Sequence, residues 1–175
     1  LKMKRALCLL VFGFCISYAL EGFTPIFSTI DDSTKTLSSI AVDDNSAVAV
    51  MGSFNNGEFH IGKKNYTAEN QDVFIAKLHA NHSVLWSYQI GGSSPDDPSV
   101  LTFDIRNNII FGGKFASHSI KFQNTVLNKT NTDTENFYFD IMLGKIRSNG
   151  SLWWMLNFGD SNESASSAYL ILLSP

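Results

Sequence analysis

The chain contains one sequence pattern written twice. DVFIAKLHANHSVLWSYQIGG at residues 72–92 returns as DIMLGKIRSNGSLWWMLNFGD at residues 140–160. Lys77 therefore matches Lys145 and Trp86 matches Trp154, each pair lying 68 positions apart. Self-similarity over this distance is typical of proteins built from repeated supersecondary units.

The match continues upstream with a shorter spacing. AVDDNSAVAVMGSF (41–54) aligns with TFDIRNNIIFGGKF (102–115) at an offset of 61, which pairs Asp43 with Asp104. The seven-residue difference predicts an insertion in the Asn- and Thr-rich loop near residues 124–136, since insertions between matched segments fall in loops.

Each copy contains four runs with the alternation or continuous apolar character of β-strands. The predicted strands are 39–42, 47–54, 73–78 and 84–90 in the first copy and 100–103, 109–115, 141–146 and 152–158 in the second. Strict alternation would place Val84, Trp86, Tyr88 and Ile90 on one face. The last run of the second copy is apolar on both faces, which predicts a sheet covered on both sides.

The N-terminal segment has the pattern of a secretory signal. Basic residues at positions 2, 4 and 5 precede an apolar run at 6–16, and small residues follow. We expect cleavage between Ala19 and Leu20, which would also remove Cys8 and Cys15. The alternative is an uncleaved signal anchor, although the run is short for a membrane span. The formal charge of −3 and pI near 5.7 give no basic patch for nucleic acid.

With these residues in place, the chain resembles the bacterial-type β-propeller repeats often called seven-bladed propeller repeats. The resemblance covers residues 38–171. The family's recurring pattern is an Asp, a strand that ends in Lys-Leu, a turn with Asn, a Trp and then Gly-Gly. In the first copy these are Asp72, Lys77-Leu78, Asn81, Trp86 and Gly91-Gly92. The second copy departs at Asp160, which replaces the second glycine, and at Gly144 inside a strand.

The resemblance implies an all-β fold of propeller blades with four antiparallel strands each, as an incomplete ring of about two blades. The expected divisions are a signal peptide at 1–19, an N-terminal strand at 20–37 that would close the ring, blades at 38–98 and 99–166, and the start of a third repeat at 167–175. Two blades do not close a ring. We therefore expect an N-terminal fragment, or else a two-repeat protein that completes its ring by oligomerising.

Candidate site residues fall into two groups. The blade-core signature comprises Lys77, Trp86, Gly91, Lys145, Trp154 and Gly159, with a structural role for both lysines as an ion pair or through packing of their stems. Potential N-glycosylation sites are Asn65, Asn81, Asn128, Asn149 and Asn162.

Other polar residues give weak signals. The acidic pairs 31–32, 43–44 and 96–97 lack the pattern of a calcium loop and are typical of turns. His79 and His82 have no neighbouring metal ligands in the sequence. No catalytic motif, cofactor site or metal site is predicted.

The function that follows from the resemblance is a secreted or cell-surface module that binds a protein or glycan without catalysis. One alternative is an exported propeller enzyme whose active site lies in further blades, and another is a structural repeat of a large adhesin. The membrane would be involved only during export or through a further anchor.

Overall fold

A computed structural model describes residues 35–130 and 138–159, together with the backbone of Phe27–Ser28. The strands are β1 (Phe27–Ser28), β2 (Lys35–Val42), β3 (Val48–Ile61), β4 (Lys64–Leu78), β5 (Val84–Ile90), β6 (Asp96–Phe103), β7 (Ile109–Phe115), β8 (Ser119–Phe122), β9 (Thr125–Asn128), β10 (Asp140–Ile146) and β11 (Leu152–Phe158). The described residues contain no helix, and therefore none that could cross a membrane. The all-β prediction is confirmed.

The described residues form two larger antiparallel sheets, each containing a four-stranded meander, and a two-stranded sheet of β8 and β9. β1 adds a fifth strand to the first sheet by pairing with β3. The meander of the first sheet has the order β2-β3-β4-β5, and that of the second has the order β6-β7-β10-β11. Each follows the chain as a meander, as predicted for one repeat. The described residues do not form a closed ring.

Each meander has an outer hairpin, which is continuous with the first sheet but forms a separate two-stranded sheet beside the second. In the first sheet it is the far end of β3 and β4, where Glu58 pairs with Thr67. Beside the second sheet it is β8–β9, where Ser119 pairs with Asn128. These pairs lie 61 positions apart, so the shorter offset persists through the hairpin. The seven extra residues therefore fall between Asn128 and Asp140.

All the predicted strands are present, and most of them are longer than the runs that the sequence indicates. β2 and β6 begin before the expected blade boundaries, and β3 and β4 continue into the outer hairpin. The predicted orientation of Val84 was wrong. A bulge pairs Lys77 with Trp86 but Leu78 with Val84, so Val84 turns away from the face that carries Trp86. The same bulge occurs in the second sheet, beside Trp153.

The two sheets pack head to tail. We call A the face that carries Val50, Phe54, Phe74 and Leu78 in the first sheet and their equivalents Phe111, Phe115, Met142 and Ile146 in the second. The opposite face, B, carries Ala49, Met51, Val73, Ile75, Trp86 and Ile90 in the first sheet. The main core joins face B of the first sheet to face A of the second, while face A of the first sheet forms a separate cluster. Unlike faces are therefore in contact, as in a heterologous interface.

Gly144 explains how the second sheet tolerates a glycine inside a strand. A Cβ at this position would overlap the ring of Phe111 on β7. Phe111 is fully buried in the core between the sheets. The glycine gives this ring the space it occupies, which is why the position departs from the alanine of the first copy.

An ion pair holds each sheet together at the same place. Asp43 lies in the β2–β3 turn, where its Oδ1 accepts hydrogen bonds from the amides of Asn45 and Ala47, both at 2.9 Å. Its Oδ2 contacts Lys77 Nζ at 3.0 Å. The pKa of Asp43 is lowered, because the bonds from Lys77 and the turn amides outweigh the opposing effect of burial.

The second sheet repeats this arrangement. Asp104 accepts bonds from the amides of Arg106 and Asn108 and contacts Lys145 Nζ at 2.8 Å. The two pairs differ in burial. The side chains of Lys77 and Asp43 are 5% and 2% exposed, whereas those of Lys145 and Asp104 are 18% and 16% exposed. The first pair is covered by the second sheet, where Lys77 Nζ lies 4.8 Å from the centre of the Phe103 ring.

We expect Lys77→Met to lower the free energy of unfolding by about 3–5 kcal/mol, because it leaves the Asp43 carboxylate buried without a partner. Lys145→Met should cost less, because water reaches the second pair. Urea unfolding of both variants measures the difference, with Lys63→Met at an exposed turn as the control. Equal losses for Lys77 and Lys145 would contradict this account.

Candidate functional site

A carboxylate, an amide and a glycine meet where the last strand of each sheet ends. In the first sheet, Gln89 Nε2 donates a hydrogen bond to Asp72 Oδ2, and Gly91 lies so close that a Cβ would overlap Asp72 Oδ1. In the second sheet, Asn157 Nδ2 donates to Asp140 Oδ2 at 3.0 Å, and Gly159 lies in the same position. The signature glycines are therefore required by close approach to a buried carboxylate.

A second buried carboxylate joins the two sheets beside this point. Asp96 Oδ2 accepts hydrogen bonds from the Gly92 amide at 3.0 Å and from Ser117 Oγ at 2.9 Å. A Cβ at Gly92 would overlap the carbonyl oxygen of Ser119. This cluster fixes the chain where it passes from the first sheet into the second. The corresponding Asp160 lies outside the described residues.

Burial raises the pKa of both carboxyl groups. The pKa of Asp72 rises to about 6, because desolvation outweighs the bond from Gln89. The pKa of Asp96 rises to about 7, because desolvation, reinforced by the charge of Asp72, outweighs the bonds from Ser117 and Gly92. Asp72 Oδ1 is buried without a hydrogen-bond partner. Sequence reasoning missed Asp96 as part of this cluster and treated it only as a turn residue.

An open groove of about 360 Å³ runs along the outer seam between the sheets. It is lined by Lys64, Tyr66, Ser87, Tyr88, Gln89, Gly91, Lys121 and Gln123. Lys64 Nζ donates to the Ser87 carbonyl at 2.9 Å and lies 4.9 Å from the centre of the Tyr88 ring. The groove thus combines ammonium and amide donors with aromatic rings. No sequence motif indicated this groove, because its residues come from β4, β5, β8 and the segments that follow β5 and β8.

The sequence-predicted core residues take different positions. Lys77 and Trp86 are buried between the sheets, and Trp86 Nε1 donates to the Ser148 carbonyl at 3.4 Å. Trp154 lies on the B face of the second sheet and is only half-buried, opposite Lys145. Gly91 borders the groove.

The described sequon asparagines are exposed. Asn81 and Asn149 occupy equivalent hairpin tips, and each Oδ1 accepts a bond from the serine hydroxyl two residues later at 2.8 Å. Asn65 and Asn128 lie on the outer hairpins. Asn162, the expected cleavage site at Ala19 and Leu20, and most of the 20–37 segment lie outside the described residues.

The predicted turn role of the acidic residues is confirmed at Asp43. It was wrong for Asp96, which begins β6 and accepts a hydrogen bond from Ser117 where the two sheets meet. His79 and His82 are exposed on the β4–β5 turn. Within the described ranges, no three His, Cys, Asp or Glu side chains lie together in a way that could hold a metal ion. The pair 31–32 falls outside those ranges.

No protein-family model and no curated protein matches the chain.

We expect the protein to become more stable as the pH falls from 8 to 5. When folding raises the pKa of a carboxyl group, its stabilisation of the folded state is complete at pH values below the pKa of the unfolded chain, which is 3.8. That stability is lost as the pH rises through about 6 for Asp72 and about 7 for Asp96. The gain should be on the order of 1–3 kcal/mol. Urea unfolding at several pH values measures it.

Asp96→Asn should flatten this pH profile, because it removes the group with the higher pKa. Asp97→Asn changes the adjacent, partly exposed carboxylate and serves as the control. A profile that stays equally steep in Asp96→Asn would show that other groups cause the pH dependence.

Proposed function

We propose that this chain forms two blades of an exported β-propeller-type repeat and acts as a non-enzymatic module that binds a protein or glycan. The observation that carries the proposal is the head-to-tail packing of two equivalent sheets. Face A of one sheet packs on face B of the other, so each added sheet meets its neighbour in the same way. Radial arrays of four-stranded sheets are built on this kind of contact.

The N-terminal strand supports this architecture. Ser28 of β1 pairs with His60 at the outer end of β3. At the equivalent place in the second sheet, 61 positions on, Gly91 from the end of the first sheet pairs with Lys121. β1 therefore occupies the place that a preceding blade's last strand would take. This pairing supports the ring-closing role that we propose for the N-terminal strand.

The groove along the seam is the binding surface that the geometry favours. It lies between the sheets, is open to solvent and is lined by two lysines and two tyrosines. Ammonium and amide donors recognise oxygen-rich groups, and an aromatic ring offers a flat apolar surface beside them. These are the groups that a glycan, or an acidic segment of a protein, presents.

We expect the double variant Lys64→Ala, Lys121→Ala to lose most glycan binding on an array of neutral and acidic glycans, because both lysines line the groove. Calorimetric titration with the strongest glycan then measures the affinity. Lys63→Ala is the matched control, since this exposed lysine adjoins Lys64 but does not line the groove. Binding that is unchanged in the double variant would exclude the groove as the site.

Export has its own test. When the chain is expressed in eukaryotic secretory cells, we expect it in the medium with Leu20 as its first residue and with a glycan on Asn149 or Asn81. Mass spectrometry of the secreted protein identifies both changes, and Asn149→Gln with Asn81→Gln should remove the hairpin glycans. Retention of the unprocessed chain inside the cells would contradict export.

A further inference from the structure

The two ends of the two-sheet stack expose part of what its centre buries. These parts are face B of the second sheet and the β2 edge of face A of the first sheet, whereas Val50, Phe54 and Phe74 on face A are already buried. Ile90 on face B of the first sheet is 0% exposed, whereas its equivalent Phe158 on face B of the second sheet is 51% exposed. On face A the order is reversed. Leu101 of the second sheet is 4% exposed, and its equivalent Ile40 of the first sheet is 58% exposed.

The exposed residues belong to two continuous surfaces. Residues directly opposite each other in antiparallel strands share a face, so free face B carries Lys114 and Lys145 together with six apolar residues. The apolar residues are the exposed Leu156 and Phe158 and the half-buried Ile110, Ile141, Leu143 and Trp154. The exposed part of face A comprises Leu37, Ile40 and Val42 on β2. Apolar patches of this kind mark interaction sites.

We propose that free face B of the second sheet binds face A of the first sheet in a second copy of this chain, head to tail. The interface within one chain already joins these two faces, and it buries Ile90 and Leu101, the equivalents of the exposed Phe158 and Ile40. The proposal rests on the repeat architecture proposed above but not on its ligand. Loss of glycan binding and loss of self-association are therefore separate results.

The internal interface specifies the contacts between copies. Trp86 Nε1 donates to the Ser148 carbonyl at the tip of the β10–β11 hairpin. The equivalent contact joins Trp154 of one copy to Ala80 at the β4–β5 tip of the next. The Asp104–Lys145 pair, half-covered in one chain, would then be buried as the Asp43–Lys77 pair is.

Two features weaken the contact between copies relative to the internal one. Gly150 lies against Trp86, and a Cβ there would come within 2.8 Å of the indole ring. Its equivalent is His82, which has a Cβ, so Trp154 must shift to accept it. In addition, Ser28 occupies the partner site on His60 that Gly159 of the next copy would take. Among the described residues this pairing joins Phe27 to Ile61 and Ser28 to His60, and a second copy would have to displace it.

Sedimentation of the full chain over a range of concentrations tests the proposal, and the average mass should rise above that of one chain. Phe158→Asp on face B and Ile40→Asp on face A should each weaken association roughly a hundredfold or more, because an unpaired charge would be buried. Ile105→Asp is the control, since this exposed apolar residue lies on the β6–β7 turn, outside both faces. A chain that stays monomeric at every concentration would overturn the proposal.

Mixing the two variants distinguishes head-to-tail contact from symmetric contact. Phe158→Asp retains face A, and Ile40→Asp retains face B, so an equimolar mixture should form dimers and nothing larger. A symmetric B-to-B dimer would instead persist in Ile40→Asp alone, and that result would overturn the proposal.

Two further measurements do not depend on the folding of the charged variants. His82→Gly should strengthen association at least severalfold, because it removes the Cβ that Trp154 must accommodate. A photoreactive phenylalanine analogue at position 154 should cross-link to residues 79–82 of another copy. Cross-links to other segments, or weaker association of His82→Gly, would contradict the predicted geometry.

Discussion

The buried ion pair between Asp43 and Lys77 connects a turn, the sheet that contains it and the neighbouring sheet. The carboxylate closes the β2–β3 turn through its backbone bonds, and the ammonium group ties that turn to β4. The lysine then meets Phe103 on the neighbouring sheet. Because a buried charge without its partner is costly, turn, sheet and sheet-to-sheet packing depend on one another. The repetition of this pair at Asp104 and Lys145 makes each sheet an equivalent unit.

Much of this fold could be predicted from the sequence, because strand character and repeat spacing are local signals. Each of the eight predicted runs coincides with a strand, except that β3 begins at Val48 rather than Ala47. The match of Lys77 with Lys145 indicated a structural role, and both lysines form ion pairs. The orientation of Val84 could not be predicted, since the bulge at Leu85 depends on pairing with β4. Head-to-tail packing could not be predicted either, because the alternation of apolar and polar residues identifies the faces of a sheet but not the surfaces that pack on them.

The candidate site was less accessible to sequence reasoning. Lys64, Tyr88 and Lys121 lie far apart in the chain and come together only through the seam between the sheets. In the sequence, Asp96 has no feature that separates it from a turn aspartate, and only the structure shows that it is buried against Ser117 and Gly92. Asn81 and Asn149, by contrast, were recognisable because a sequon and a hairpin tip are both encoded within a few residues. Sites formed by distant segments require the tertiary structure.

An interface between unlike faces has a consequence for how such a chain changes over evolutionary time. A duplicated repeat carries both faces, so the new sheet fits its neighbours without any compensating substitution. The length of the array can therefore change in whole repeats, and each copy is afterwards free to diverge where it faces solvent. The two copies also differ at contacts that are buried in the second sheet, where His82 corresponds to Gly150 and Ala76 to Gly144, and there local packing rather than the repeat decided the residue.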